Sequence, residues 1–170
     1  STSRGLGDVY KRQMLKSMYL LSNNFKCELM QRNCDTLKFL TQDIDALSYL
    51  YPEIKIWYWN TFAKGFARDE RAVLLATDIY GKPAGFSLLK NSYSEKKICT
   101  FYIFPEYRES SLGKKLLPVA IGLLDEDEIG ITVSESVNQS LQPLLSSNSF
   151  VIESIETGLY LPTVSYTHLR

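Results

Sequence analysis

The sequence predicts one α/β (α+β) domain, and two observations carry that reading. Strand-like alternating runs and segments of helical apolar spacing follow one another along the chain. Among them, the apolar run Ile98–Ile103 passes through a short polar turn straight into an apolar, helix-like segment near Leu112. At 170 residues, 45% of them hydrophobic, the chain has the size of a single domain and enough apolar side chains for a full core. No internal repeat, low-complexity tract or linker divides it.

The elements follow in order. The stretch 25–31 alternates and predicts the first strand. Leu37, Leu40, Ile44, Leu47 and Leu50 recur at helical spacing, so 35–50 predicts an amphipathic helix, with Asp35 or Thr36 as N-cap and Pro52 as its stop. A second helical stretch, 54–67, carries Ile56, Trp57, Trp59, Phe62, Ala63 and Phe66, and its aromatics read as core and not as a stacking platform. Strands 72–79 and 84–89 flank the turn Tyr80-Gly-Lys-Pro83 and form a hairpin. The strand 97–103 enters the polar turn, and helix 112–124 leaves it. Pro118 inside that helix should kink it or mark a late start. The acidic run 125–128 reads as a solvated loop. Strand 130–133, helix 138–147 and a long strand 150–161 complete the series.

The turn after Ile103 is where chemistry is expected. The first backbone N–H groups of a helix have no intrahelical partner, and the helix dipole is positive there. Small residues at Ser110, Ser111 and Gly113 let a phosphate approach those groups closely. The spacing from Arg108 to Gly113 is Arg-x-x-Ser-x-Gly, preceded by Ile103, Pro105 and Tyr107. This stretch resembles the acyl-CoA pyrophosphate loop of the GNAT acetyltransferases, (Gln/Arg)-x-x-Gly-x-(Gly/Ala). Ser111 stands where that family has Gly. If the position requires φ > 0, Ser is strained there and Gly is not. A second stretch, 138–150, resembles the family's Asn, short helix with a Tyr, and Gly-Phe opening the next strand. Asn138 and Phe150 match at the family's interval, Ser149 replaces the Gly, and Leu145 replaces the Tyr. The two motifs cover roughly residues 84–161, in the family's order.

The resemblance implies a GNAT acyl-CoA N-acyltransferase fold: a central, mixed but mostly antiparallel sheet flanked by helices, with two parallel strands splaying to admit acetyl-CoA. The matching strands are 97–103 and 130–133. It implies that acetyl-CoA contacts Phe101, Tyr102 and Ile103 on the first strand, Arg108, Glu109, Ser110, Ser111, Leu112, Gly113 and Lys114 in the loop, and Asn138. A backbone N–H of the strand would stabilise the thioester oxyanion, and holding amine and thioester together would supply much of the acceleration. No covalent enzyme intermediate is required, and Cys99 reads as a buried small hydrophobe. The implied function is N-acetyl transfer from acetyl-CoA to a primary amine of a small molecule or peptide, by direct attack in a ternary complex. The alternative is a catalytically weak or inactive GNAT-like module that binds CoA or a protein partner. Leu145 cannot protonate the departing thiolate. Glu135 is the carboxylate nearest the expected cleft and the candidate general base, with Ser134 and Tyr102 behind it.

Composition narrows the partners. Lys+Arg and Asp+Glu are both 19, so the net charge is zero and no nucleic-acid footprint is expected. No apolar run approaches the ~20 residues of a membrane span. Cys27, Cys34 and Cys99 form no metal-ligand pattern, so no metal is expected and a reduced cytoplasm fits. Acetyl-CoA and an amine acceptor are the expected partners of a monomer or homodimer. The single histidine, His168, offers no Ser-His or Cys-His scheme. Residues 1–13 lack periodicity, and residues 164–170 stop abruptly. Both read as non-native, adapter-like tails around a domain at 14–163, leaving the sheet cut short at its last strand.

Overall fold

The computed structural model describes residues 18–161 and 164–170, apart from the side chain of Ser136. The reading of 1–13 as a tail and the start of the domain at 14 lie outside the described residues. Eight strands form one sheet in the order β1-β2-β3-β4-β5-β6-β8-β7. They are β1 Met18–Leu20, β2 Phe25–Leu29, β3 Arg71–Asp78, β4 Pro83–Asn91, β5 Lys96–Ile103, β6 Gly130–Ser134, β7 Ile152–Thr157 and β8 Ser165–Leu169. Every neighbouring pair is antiparallel except β5 and β6. This is the mixed, mostly antiparallel sheet that the motifs imply.

The helical segments divide between the two faces. The expected helix 35–50 is two short helices, α1 Cys34–Phe39 and α2 Thr41–Ala46, hinged at Leu40. Its N-cap is Asn33, whose Oδ1 accepts the Thr36 N–H at 3.0 Å, and not Asp35 or Thr36. The stretch 54–67 is continuous as expected: α3 Ile54–Trp57 runs through a π-helical turn, Tyr58–Phe62, into α4 Ala63–Ala67. Its aromatics are core: Tyr58, Phe62 and Phe66 are buried with Val73, Leu75, Phe86 and Leu88 on one sheet face. Burying each such side chain stabilises by roughly 1.5–3 kcal/mol. Tyr58 satisfies its hydroxyl by donating to the Leu37 carbonyl at 2.7 Å, tying the π turn to α1.

The opposite face packs under α5 Leu112–Leu124 and α6 Glu135–Ser147, with Leu74, Leu89, Ile98, Leu116, Leu145 and Leu169 among the buried residues. Pro118 lies inside α5 without ending it. Ser134 is the N-cap of α6, and its Oγ accepts the Val137 N–H at 3.4 Å. The helix therefore starts earlier than the expected 138, and Asn138 is not its cap.

The last strand corrects the expectation of a sheet cut short. Residues 164–170, taken as a foreign tail that leaves the sheet short, supply a strand paired to β6 on one side and β7 on the other. The side chains explain the fit: Tyr166, Thr167 and Leu169 are buried, and the Tyr166 hydroxyl donates to the Leu50 carbonyl at 2.6 Å. A strand here also removes the exposed edge that β6 would otherwise present. His168 bridges the neighbours, with Nδ1 2.9 Å from Thr132 Oγ1 and Nε2 3.2 Å from Glu156 Oε2. The lone histidine is thus a cross-strand tie.

Candidate functional site

The site is built around a defect in the sheet. β5 and β6 pair only at Lys97↔Gly130 and Ile98↔Ile131, although β5 continues to Ile103 and β6 to Ser134. The register between β4 and β5 shifts at this level, from Leu88↔Thr100 to Leu89↔Ile98, so Cys99 is the extra residue of a β-bulge. A bulge bends its strand and increases the local twist, which swings the outer half of β5 away from β6. Phe101, Tyr102 and Ile103 lie on that outer half, as expected. Phe101 and Ile103 pack on the α5–α6 face, and Tyr102 faces the α1–α4 side with Phe104.

The polar turn lies at the end of β5. Pro105–Tyr107 is a single 3₁₀ turn, and Ser111 then has φ 65°, ψ 8°. The φ > 0 condition is met, so Ser111 occupies a left-handed conformation that glycine would hold without strain. No side chain caps α5 at Ser111, so its first N–H groups are open to a ligand. Leu112 is buried beneath the turn, whereas Glu109, Ser110 and Lys114 are exposed. Arg108 is tied to the strand: its Nε donates to the Ile103 carbonyl at 3.0 Å, and its guanidinium lies 5.6 Å from the Tyr102 ring centroid. It fixes the end of β5 against the loop. Tyr107 donates to Asp78 Oδ2 at 2.9 Å. Burial alone would raise the Asp78 pKa, but N–H bonds from Lys82 and Tyr80 and the Tyr107 hydroxyl outweigh it and leave it lowered. The carboxylate therefore stays ionised, bracing the loop against the β3–β4 hairpin.

Two features between α5, α6 and β5 suit a long amide-bearing ligand. A Cβ added at Gly113 would meet Leu144 Cδ2 at 3.5 Å and then Ile103 and Phe101 at 3.9 Å. The glycine thus faces those three residues, and a side chain longer than a methyl would press on them. Asn138, in the second turn of α6, has a buried Oδ1 with no hydrogen-bond partner among the described residues. A buried acceptor left unpaired costs stability, and a ligand N–H would relieve it. These residues fit a pyrophosphate with an amide-rich arm.

On the α1–α4 side of the gap the structure gathers residues that sequence reasoning missed. The Tyr51 ring is 5.2 Å from Tyr160 and 5.7 Å from Tyr166, and its hydroxyl meets the Ser134 backbone at the end of β6. Burial, with the neighbouring Tyr160 and Tyr166, raises the Tyr51 pKa well above the ordinary phenol value, so it stays protonated. Tyr160 is within electrostatic reach of Cys99, and Arg71 Nη1 donates to Cys99 Sγ at 3.2 Å. No sequence motif joins residues 51, 71, 99 and 160; only the fold brings them together. Glu135 is exposed in the first turn of α6, where a carboxylate complements the helix dipole. Leu145 is buried in the core and offers no acid.

No family model matches the sequence, and no curated protein is similar to it. Solved structures do match. An acetyltransferase of the GNAT family from Streptococcus pneumoniae is 19% identical, with a TM-score of 0.61 over 85% of this chain and 97% of that one. Spermidine N-acetyltransferase from Vibrio cholerae, in complex with CoA and spermine, is 12% identical, with a TM-score of 0.64 over 87% and 95%. Nourseothricin acetyltransferase is 16% identical, with a TM-score of 0.51, and the chain spans 65% of its length. With its splayed parallel pair β5/β6, eight-stranded mixed sheet and flanking helices, this chain has the fold of the GNAT acetyltransferases.

Proposed function

We propose that the protein is an acetyl-CoA-dependent N-acetyltransferase acting on a primary amine. The observation that carries this reading is the β5/β6 gap, opened by the Cys99 bulge and ending at an uncapped helix N-terminus. The pyrophosphate would sit on the backbone N–H groups of residues 109–114, with Arg108 and Lys114 nearby. The pantetheine would pass Gly113 along the outer half of β5 and present an amide N–H to Asn138 Oδ1. The thioester would lie in the gap beside β5, where a backbone N–H can meet the oxyanion. The amine nitrogen attacks the thioester carbon, the C–N bond forms and the C–S bond breaks. The thiolate leaves and takes a proton.

Tyr51 is the acid this arrangement favours in place of Leu145. Its buried, protonated hydroxyl lies at the end of β6, at the mouth of the gap. Glu135, at the same strand end but exposed, is the carboxylate placed to accept the amine's proton through water. The neighbours' CoA complexes and amine acetylation support the same reading.

The experiment has two readouts on purified protein: calorimetric binding of acetyl-CoA, and release of free CoA thiol with a panel of primary amines. Saturable binding and amine-dependent thiol release are expected. Binding with no release for any amine would favour the non-catalytic CoA-binding module. No binding of acetyl-CoA would overturn the assignment.

A further inference from the structure

Three cations lie side by side across the sheet on the α1–α4 face. Arg71 on β3 pairs with Lys90 on β4, and Lys90 pairs with Lys97 on β5. Like charges directly opposite one another destabilise a sheet, so the row needs anions. It receives one. Glu95 bonds Lys90 Nζ at 2.5 Å, and that bond, with Lys97 and Arg71 close by, lowers the Glu95 pKa. Among the described residues no carboxylate lies within ion-pair distance of Arg71 or Lys97.

Arg71 is also held in a fixed pose. Its guanidinium lies 5.7 Å from the Trp57 ring centroid and 5.8 Å from that of Phe62, and it donates to Cys99 Sγ at 3.2 Å. Its stem crosses α4 at Gly65, where a Cβ would come within 2.8 Å of Arg71 Cγ. The fork is therefore immobilised before any ligand arrives, which lowers the entropy lost on binding. Its position is the decisive point. Lys97 and Ile98 are the last β5 residues paired to β6, and Cys99 is the bulge where the gap opens. The row thus ends at the apex of the gap, on the face away from α5 and the pyrophosphate turn, with Tyr160 within electrostatic reach of Cys99.

We propose that Arg71, with Lys97, binds a carboxylate on the acceptor, so that the substrate is a small amine carrying a carboxylate, of the amino-acid class. This rests on the acetyl-transfer reading above. A planar carboxylate matches the guanidinium fork, and an apex position sets the carboxylate a short distance from the thioester. A polyamine, cationic throughout, would be repelled by the same row.

The test compares amino acids with their decarboxylated partners: lysine with cadaverine, phenylalanine with phenethylamine, tyrosine with tyramine. Thiol release should give kcat/KM for the carboxylate-bearing member roughly ten- to hundred-fold higher, the range of a charge-assisted hydrogen bond. Arg71→Gln should erase that preference while changing the decarboxylated amines less than about threefold. Arg71→Lys should restore part of it, and Lys97→Gln should reduce it several-fold. Unchanged acetyl-CoA affinity shows each variant folded; should Arg71→Gln not fold, the other two variants carry the comparison. A wild-type preference for the decarboxylated amines, or equal losses on both series, overturns the proposal. If no amine is acetylated, acetyl transfer itself fails. The subsite is then decided by calorimetry of CoA-bound protein with the N-acetylated members of each pair, where equal affinity, or binding of neither member, overturns it.

Discussion

Ser111→Gly tests the geometry of the loop directly. Ser111 has φ 65° and Ser149 has φ 68°, both in the left-handed region. A non-glycine residue there costs roughly 1–2 kcal/mol. Glycine removes that strain but widens the unfolded ensemble, which returns about 0.4–1 kcal/mol. Among the described residues neither Ser111 nor Ser149 has a side-chain hydrogen-bond partner that the change would remove. The net expectation is a gain of ~0.5–1 kcal/mol for each replacement, or about 1–4 °C in Tm for a chain of this size. Urea unfolding followed by tryptophan fluorescence measures it, and the double variant should be additive within about 0.5 kcal/mol, since the two turns sit at different helix ends. The m-value should not move, because the exposed surface is unchanged. Acetyl-CoA affinity should hold or tighten, since a glycine brings the backbone N–H groups no farther from a phosphate. A loss of stability in Ser111→Gly would refute the strained-loop reasoning, because no lost contact could account for it.

Three other outcomes are expected. Gly113→Val should place methyl groups between Leu144, Ile103 and Phe101 and weaken acetyl-CoA binding at least tenfold, while thermal unfolding changes little; unchanged affinity would move the ligand elsewhere. Asn138→Ala should leave stability equal or slightly raised, because its Oδ1 is buried without a partner, yet weaken acetyl-CoA binding; a clear loss of stability would mean the amide has a structural role. Tyr166→Phe should cost about 1–3 kcal/mol in urea unfolding, since it leaves the Leu50 carbonyl without its 2.6 Å donor. No loss there would argue that β8 does not dock as described.

Local pattern was enough for most of the scaffold. Residues 25–31, 72–79, 84–89 and 97–103 alternate or run apolar because one sheet face must meet a core, and those strands sit where the pattern places them. The strand-turn-helix about Ser111 was legible for the same reason: its small residues and positive φ are local requirements. What could not be read locally depends on partners distant in sequence. Met18–Leu20 is too short to announce itself and exists through pairing with β2. The helix expected over 35–50 breaks at Leu40, where its buried face has to follow the sheet beneath it. Ser165–Leu169 does not announce itself as a strand until β6 and β7 flank it, since a strand between two others draws its stability from their backbone groups. The same holds at the site. The chain alone marks the phosphate turn, because one segment builds it. Arg71, Lys90 and Lys97, with Tyr51, Tyr160 and Cys99, meet only once strands far apart in the chain take their register, and that register is set by burial of two apolar faces at once.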